Sequence, residues 1–350
     1  MSSPIIADFR SDTITQPTPE MRRAMAEAVV GDDSREGDPT ARRLEEIAAA
    51  LTGHEAALFC TSGTMGNLIA LMTHLQPGEE VIAELDSHFL RFEAGALSAI
   101  VGAIPRTLVG RAGRMDLEEL AKEIQPGSRH RPRTALIVAE NTHNLAGGTV
   151  LDVAYMKQLW ALAAEYGLPV HLDGARVFDA AVALGVPVKD LASGSQSVMV
   201  DLSKGLCAPY GSLLCAGADF IARARNMRQR VGGGVRQIGH LAACGIIALE
   251  KMVDRLADDH ANARRLGEGI HKLRPDLVDL GLVQTNMVLL ETAPLGCTAA
   301  ALCEQLDARG VRALPMASHR VRFVTHRDVT AEQVDAALEV TAEVLGAAHG

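Results

Sequence analysis

The sequence predicts an α/β fold in which helices cover both faces of a mostly parallel sheet, followed by a smaller α+β domain. Short apolar runs alternate with segments in which apolar residues recur every three or four positions, as in strands separated by helices. After the glycine-rich segment 231–237 the pattern changes, and strand-like runs follow one another closely. We therefore predict a large domain over residues 1–245 and a small C-terminal domain over residues 246–350.

The large domain begins with a well-marked helix and then alternates between strands and helices. Asp38 and Pro39 are typical of a helix start, and Gly53 is typical of a helix end. The segment TSGTMGN (61–67) interrupts an apolar run and leads into a second helix. Strands are predicted at AALFC (56–60), VIAEL (81–85), ALIVAE (135–140), PVHLD (169–173), SVMVDLS (197–203) and GSLLCAG (211–217), and a further helix from Asp152 to Gly167.

The small domain is predicted to combine helices with closely spaced strands. A long helical stretch covers roughly residues 240–273, and the final helix begins with Thr330 and Gln333 at the spacing of a capping box. Between them the sequence predicts the strands MVLLE (287–291), VRALPM (311–316) and HRVRFVT (319–325), and a helix near residues 298–309.

The composition disfavours several classes of function. The 350-residue chain carries a net charge of −9 and only 3% aromatic residues, which argues against a nucleic-acid groove of basic and stacking side chains. No apolar run is long enough to span a membrane, and the N-terminus lacks the features of a signal peptide. The six cysteines have no CxxC spacing, which argues against a disulfide framework and a structural zinc site. We expect a soluble cytoplasmic enzyme without a metal.

Lys204 is the lysine whose position indicates chemistry. The other five lysines lie in polar or helical surroundings that are typical of solvated surface charges. Lys204 follows the apolar strand SVMVDLS and precedes Gly205, at the sheet edge where α/β proteins bind ligands. A desolvated lysine offers a neutral amine for Schiff-base chemistry. Taken alone, this position fits equally well a lysine that extends into solvent.

Asp173 is a carboxylate at the end of the predicted strand PVHLD. An isolated buried carboxylate is unfavourable and requires a cationic partner. One candidate is Arg176, which follows in HLDGAR (171–176). The other is the protonated ring nitrogen of pyridoxal phosphate, for which an aspartate is the usual partner. Lys204 and Asp173 together therefore favour a pyridoxal-phosphate site.

Two glycine-containing turns are compatible with phosphate binding. Ser62, Gly63 and Thr64 lie between a strand and a helix, and a helix N-terminus attracts anions. The same three residues also fit an ordinary strand-to-helix turn. The segment GGG (232–234), followed by Arg236, fits either a second phosphate contact or a flexible turn. The sequence contains no Walker A motif.

Three histidines flank predicted strands. His88 follows VIAEL, where its ring is able to lie flat over a planar cofactor, and His130 and His143 lie on either side of ALIVAE. Each of them alone is more typical of a structural histidine than of a catalytic one. Two histidines near a cofactor would offer a base with a pKa close to neutrality.

Taken in order, these segments resemble the threonine aldolase family of the β-eliminating lyases, which are pyridoxal-phosphate enzymes of fold type I. The resemblance extends from about residue 8 to about residue 330. It implies a mostly parallel seven-stranded sheet in the large domain and an N-terminal arm, residues 1–15, near the active site. The matching segments are FRSDTITQPTPEMRRAM, GDPTARRLEEIAA, GHEAALFCTSGTMGNLIAL, ENTHNLAGGTV, LPVHLDGARVFDAAVALGV, LSKGLCAPYGS, GGGVRQIGHLAA and VRFVTH.

The resemblance also implies roles for individual residues. Lys204 would form the Schiff base with pyridoxal phosphate, and Asp173 would pair with the pyridine nitrogen. His88 would stack on the cofactor, and His130 would lie near the substrate hydroxyl. The phosphate would be held by Ser62, Gly63 and Thr64, with Arg236 from a neighbouring subunit, and the substrate carboxylate by Ser11, Arg322 and Arg176, the last of which would also contact the cofactor.

Two positions depart from the family pattern. The segment SREGDPT has Arg35 where the family usually has an aromatic residue, and Gln229 stands before GGG where the family often has lysine. Both positions lie near the active site or the subunit interface in the family. Arg35 and Phe92 are expected to shape the pocket for the substrate side chain, so the departures bear on the substrate and not on the cofactor.

The implied reaction is the reversible cleavage of a β-hydroxy-α-amino acid, of the threonine, allo-threonine or phenylserine type, to glycine and an aldehyde. His88 or His130 would take the hydroxyl proton, and a homodimer or homotetramer would share its active sites between subunits. The nearest alternative keeps the cofactor but carries out β-elimination to a keto acid and ammonia. A non-catalytic anion-binding protein would instead be colourless and unaffected by borohydride, and a serine hydrolase is disfavoured because no GxSxG elbow occurs.

Overall fold

A computed structural model of the chain describes residues 4–347. Its strands are β1 (Ala7–Asp8), β2 (Ala56–Cys60), β3 (Glu80–Glu84), β4 (Ile104–Leu108), β5 (Thr134–Glu140), β6 (Val170–Gly174), β7 (Ser197–Asp201), β8 (Ser212–Ala216), β9 (Met287–Glu291), β10 (Val311–Arg312), β11 (Leu314–Ala317) and β12 (Arg320–Val324). Its helices are α1 (Pro19–Glu27), α2 (Pro39–Thr52), α3 (Gly63–His74), α4 (His88–Arg91), α5 (Leu117–Glu123), α6 (Val153–Glu165), α7 (Val177–Leu184), α8 (Lys189–Ala192), α9 (Ala218–Arg230), α10 (Gly239–Lys251), α11 (Leu256–Leu273), α12 (Ala299–Asp307) and α13 (Ala331–Ala347).

A seven-stranded sheet in the order β2-β8-β7-β6-β5-β3-β4 forms the centre of the large domain. Only β8 runs against the others, since it pairs antiparallel with both β7 and β2. Strands β5, β6 and β7 lie side by side, and Glu140, Asp173 and Asp201 stand at or next to their last residues. The predicted α/β class and the predicted mostly parallel sheet are therefore confirmed, and three carboxylates meet at one edge of that sheet.

The central strands form where the sequence predicts them, because their residues are buried on both sides. All residues of β5, β6, β7 and β8 are buried, as expected of central strands between helical layers. Helix α2 also begins and ends as predicted: the Asp38 side chain accepts hydrogen bonds from the backbone N–H groups of Thr40 and Ala41, and Gly53 adopts a left-handed conformation after the last turn.

The small domain contains an antiparallel sheet of order β11-β12-β9, with α11, α12 and α13 beside it. Its core also includes Ala7 and Phe9, because β1 pairs in parallel with β10. The predicted capping box of α13 is present: the backbone N–H of Thr330 donates to Gln333 Oε1, and the backbone N–H of Gln333 donates to Thr330 Oγ1. The domain boundary near residue 245 stays a prediction.

Several elements differ from the prediction, and three of them show why. Strand β4 is absent from it, because β4 is a largely exposed edge strand without an apolar run. VRALPM divides into β10 and β11, which pair with different strands. The stretch 240–273 forms two helices, α10 and α11, instead of one. The break between them was not predicted, because the apolar spacing continues across it through the buried residues Met252 and Leu256. Among the helices described, none is both long and apolar enough to cross a membrane.

Gly66 determines how closely α3 approaches the sheet. A Cβ atom at Gly66 would lie 2.7 Å from Met199 Cγ in β7 and 3.0 Å from Ser212 Oγ in β8. Real Cβ atoms do not come this close to a neighbour, so the absence of a side chain allows the first turns of α3 to lie against β7. The residues before α3 are consequently held at the sheet edge that carries the three carboxylates.

We predict that Gly66→Ala lowers the free energy of unfolding by about 1–3 kcal/mol, because the added methyl group overpacks the helix–sheet contact. Urea unfolding followed by circular dichroism measures this change. Gly346→Ala is the matched control, since Gly346 lies in α13 with no atom within 4 Å of its would-be Cβ. It should be neutral or stabilising by up to about 1 kcal/mol. Equal effects of the two substitutions would contradict the assigned close contact.

Candidate active site

Two adjoining cavities lie at the carboxyl ends of β5, β6 and β7. The inner cavity, of about 190 Å³, is lined by residues 62–64 and by the Asp173 carboxylate. The outer cavity, of about 340 Å³, is lined by residues of the N-terminal segment and of β12. Lys204 and His88 line both cavities. The edge of the sheet therefore carries one continuous site, in which these two side chains lie between an inner and an outer part.

One end of the inner cavity is the N-terminus of α3. Ser62 caps the helix, and its Oγ accepts a hydrogen bond from the backbone N–H of Met65. Gly63 follows, and a Cβ atom there would lie 2.8 Å from Asp201 Oδ2, so any larger residue would have to displace that carboxylate. Thr64 completes the turn that lines the cavity. Backbone N–H groups and the helix dipole both favour an anion at this end.

Asp173 lines the inner cavity from the end of β6. It is 1% exposed, and its Oδ2 accepts a hydrogen bond of 2.8 Å from Asn67 Nδ2. Its Oδ1 accepts from the backbone N–H of Ala175 at 3.2 Å. Arg176, the local partner that the sequence allowed, pairs instead with Asp12. The carboxylate is therefore buried with hydrogen-bond donors but without an ion-pair partner among residues 4–347.

His88 lies beside Asp173 and is held by two carboxylates. Its backbone N–H donates to Glu140 Oε2 at 2.6 Å, and its Nδ1 lies 3.0 Å from Glu93 Oε1. Burial lowers the pKa of the His88 ring, but the hydrogen bond with Glu93 and the charge of Asp173 raise it, and the net shift is upward. His88, Glu93 and Asp173 also form the one His/Cys/Asp/Glu group with metal-ligand spacing in the described part of the chain. The Asn67 amide bridges its two carboxylates.

Lys204 reaches the junction of the two cavities from the turn after β7. Its Nζ lies 3.9 Å from Asp201 Oδ2, and its side chain is only 15% exposed. The backbone carbonyl of Lys204 accepts a hydrogen bond of 2.8 Å from Thr15 Oγ1, which ties this turn to the N-terminal arm. Of the six lysines, Lys204 is the one that lines the two cavities.

In the outer cavity, Arg176 is paired within the protein. Its Nε and Nη2 donate to the two oxygens of Asp12, each at 2.7 Å, and both side chains are buried. Burial raises the pKa of the Asp12 carboxyl, but the charge of Arg176 and its hydrogen bonds outweigh burial and hold the pKa well below its ordinary value. The charge of Arg176 is therefore balanced before any ligand binds.

Arg322, by contrast, is a buried guanidinium without a carboxylate of its own. It is 5% exposed; its Nη1 donates to Asn144 Oδ1 at 2.7 Å, and its Nε has no hydrogen-bond partner among the residues described. Burial and the neighbouring charge of Arg176 lower the pKa of Arg322 to about 10, so it is still protonated at neutral pH. Arg322 thus brings an uncompensated positive charge to the outer cavity.

The remaining predicted residues fall into two groups. Ser11 and Phe92 line the outer cavity, where Phe92 is half-exposed and lies beside the His88 ring, at 5.4 Å between ring centroids. The other group lies outside both cavities in the single chain: His130 is exposed in the turn 128–131, Arg35 is exposed near Asp32, and Arg236 donates to Asp32 and Ser34.

Several polar residues of the site were not predicted from the sequence, among them Asn67, Glu93, Asp12 and Asn144. Asn67 was detectable, because it interrupts the apolar face of α3 just after the SGT turn. Asp12 follows Ser11 directly, and Asn144 lies in the matched segment ENTHN. Glu93 gave no local signal, since an acid five residues after His88 in a short irregular segment is common.

Comparison with known proteins identifies the family of this chain. The family model described as beta-eliminating lyase matches residues 8–293. The chain belongs to the beta-eliminating lyase family. The low specificity L-threonine aldolase of Escherichia coli strain K12 is 44% identical over 329 residues, which cover 93% of this chain and 96% of the relative. The resemblance indicated by the sequence motifs is therefore confirmed.

Solved structures share the fold of this family member at low sequence identity. A threonine aldolase from Leishmania major has a TM-score of 0.83 at 19% identity, covering 97% of this chain and 99% of that chain. A structure of SPT with a PLP internal aldimine has a TM-score of 0.73 at 17% identity, covering 99% and 87% respectively. Both comparisons support the predicted fold class.

We predict that Asp12→Asn lowers the free energy of unfolding by about 3–5 kcal/mol, because it leaves Arg176 buried without its anion. Chemical denaturation of the purified protein measures the loss. Asp8→Asn is the matched control, since the Asp8–Arg10 pair is more exposed and contributes about 0–1 kcal/mol. Equal stability of the two variants would show that the buried Asp12–Arg176 pair contributes no more to stability than the more exposed Asp8–Arg10 pair.

Proposed function

We propose that the protein is a pyridoxal-phosphate-dependent aldolase, which reversibly cleaves a β-hydroxy-α-amino acid of the threonine, allo-threonine or phenylserine type to glycine and an aldehyde. The observation that carries the proposal is the environment of Arg322. This buried cation has no carboxylate partner within residues 4–347, and it lines the same cavity as Lys204. An amino-acid substrate supplies the missing carboxylate and places an amine next to that lysine.

The inner cavity fits the cofactor. Residues 62–64 offer the helix N-terminus for its phosphate, and the buried Asp173 offers an anion for its protonated ring nitrogen. His88 would lie on the face of the ring, and Lys204 would hold the cofactor covalently. Pyridoxal phosphate, when bound, supplies an electron sink for the bond that breaks at the substrate α-carbon.

The outer cavity would bind and orient the amino acid. Arg322 would hold the substrate carboxylate through charge-assisted hydrogen bonds, with Ser11 and Arg176 as further donors. Because Arg176 is fixed by Asp12, it would offer a donor at a constant position without adding a net charge. A carboxylate held in this way limits the rotation of the substrate and so selects the α-carbon bond that is presented to the cofactor.

His88 would act as the base that takes the β-hydroxyl proton. Its Nδ1 is engaged by Glu93, which leaves Nε2 as the proton acceptor, and its raised pKa strengthens the ring as a base. His130 would lie near the same hydroxyl if it is supplied by a second subunit. Because His130 and Arg236 lie outside both cavities of the single chain, their proposed roles require a homodimer or homotetramer with shared active sites, in which Arg236 reaches the phosphate of a neighbouring subunit.

The pocket for the substrate side chain would be formed by Phe92 and by Arg35 of a neighbouring subunit. The half-exposed Phe92 ring at the outer cavity offers an apolar contact for a methyl or phenyl group.

All six cysteines are free thiols, which supports a reducing compartment such as the cytoplasm.

Product analysis tests the proposed reaction. We expect the purified holoenzyme to release glycine and aldehyde in equal amounts from threonine, allo-threonine or phenylserine, and to show a chromophore that borohydride removes. Lys204→Ala should lose both the chromophore and the activity, because the lysine amine is essential for holding the cofactor. Lys122→Ala, at an exposed lysine of α5, is the matched control and should retain both.

Two results would contradict the proposal. Formation of a keto acid and ammonia without glycine would indicate β-elimination. A colourless protein that borohydride does not change, even after incubation with pyridoxal phosphate, would exclude the cofactor.

A further inference from the structure

A chain of buried polar side chains extends from Asp173 away from both cavities. Asn67 Nδ2 donates to Asp173, and Asn67 Oδ1 lies 3.1 Å from His171 Nε2. His171 Nδ1 lies 2.8 Å from Ser197 Oγ, which is in turn 2.8 Å from His74 Nε2. Asn67, His171 and Ser197 are each at most 1% exposed. This series of hydrogen bonds thus runs through the interior between α3 and the sheet.

The fold explains why these residues meet. Asn67 and His74 are seven residues apart in α3, which is two helical turns, so they share one face of the helix. His171 and Ser197 are direct partners in the parallel pairing of β6 and β7. One face of α3 therefore lies over two neighbouring positions of the sheet.

The orientation of the Asn67 amide follows from its acceptors. Its Nδ2 donates to Asp173 Oδ2 at 2.8 Å and to Glu93 Oε1 at 2.9 Å. An ionised carboxylate accepts hydrogen bonds and donates none, so the amide NH₂ must face the acids. Both N–H donors are thereby used, and Oδ1 must accept from the opposite side.

The directions of the further hydrogen bonds follow from this orientation of the amide. Because Asn67 Oδ1 is an acceptor, His171 carries its proton on Nε2 and leaves Nδ1 as an acceptor. The Ser197 hydroxyl must donate to that Nδ1 and can accept from His74 Nε2–H. Burial lowers the pKa of His171 to about 4 and that of His74 to about 3, so both rings are neutral at the pH of the cell.

We propose that His171 and Ser197 are positioning residues, which hold the Asn67 amide so that it fixes Asp173 and Glu93 together. The proposal rests on the proposed function, because it assigns Asp173 to the cofactor ring. Glu93 in turn holds Nδ1 of His88. One amide therefore orients both the acid for the ring nitrogen and the histidine beside it. Without His171, the amide keeps its two hydrogen bonds to the carboxylates, but Oδ1 loses the donor that fixes it from the opposite side.

Steady-state kinetics and the absorbance of the bound cofactor test this role. We expect His171→Leu to lower kcat by about 10–100-fold, as loss of an outer partner does at other sites, with little change in KM. We also expect it to shift the absorbance of the bound cofactor. His171→Gln keeps an N–H donor near the position of Nε2 and should restore most of kcat. Ser197→Ala should lower kcat in the same direction.

His54→Leu is the control for removing a hydrogen-bonded histidine that is partly buried. His54 bonds Thr52 and the backbone carbonyl of Ser195, away from both cavities. This variant should lose stability but keep the wild-type kcat and absorbance. If His171→Leu does not fold, Ser197→Ala provides the kinetic test, since it deletes a single oxygen atom.

Histidine-selective ¹⁵N NMR tests the direction of these hydrogen bonds and does not require the enzyme to turn over substrate. We expect the His171 ring to carry its proton on Nε2 and not on Nδ1. The opposite tautomer, or an unchanged kcat and absorbance in His171→Leu and Ser197→Ala, would overturn the proposal. A wild-type enzyme that produces no glycine would refute the proposed function instead, and the NMR result would still decide the direction of the hydrogen bonds.

Discussion

The charge balance of the outer cavity is the constraint on which the rest of the site depends. Two buried guanidiniums lie near one buried carboxylate there, and Asp12 is fully engaged by Arg176. Arg322 is left without an anion, although burying an unpaired charge is costly. The protein keeps this unfavourable charge at the one place where Lys204 and His88 also meet. A bound amino acid would remove the cost through its carboxylate, so binding would be coupled to the relief of an existing electrostatic penalty.

The same constraint joins three distant parts of the chain. Asp12 comes from the N-terminal arm, Arg176 follows the central strand β6, and Arg322 belongs to β12 of the small domain. The arm is anchored to the small domain through the pairing of β1 with β10, and to the turn of Lys204 through Thr15. Since none of these segments forms the cavity alone, a change in the packing of the small domain would alter the position of the substrate relative to the cofactor.

The strands and the sheet edge could be predicted because burial imposes a visible pattern. Strands such as Ala56–Cys60 and Met287–Glu291 are apolar runs bounded by polar or turn residues, and Lys204 and Asp173 stand out as charges at the ends of such runs. Asp12, Glu93 and Asn67 were missed because their significance depends on contacts with residues far away in the sequence. His130, Arg236 and Arg35 lie outside both cavities of the single chain, and the resemblance assigns Arg236 to a neighbouring subunit, so their roles stay predictions.

The central claim is that Arg322 retains its charge for the carboxylate of the substrate. Titrating the holoenzyme with glycine, followed by the absorbance of the bound cofactor, tests this claim directly, with methylamine as an amine that lacks the carboxylate. We predict that Arg322→Gln weakens glycine binding by about 10- to 100-fold, the effect of a lost charged hydrogen bond, and leaves methylamine binding unchanged. Equal affinity of both proteins for glycine, or an equal loss for both ligands, would contradict it.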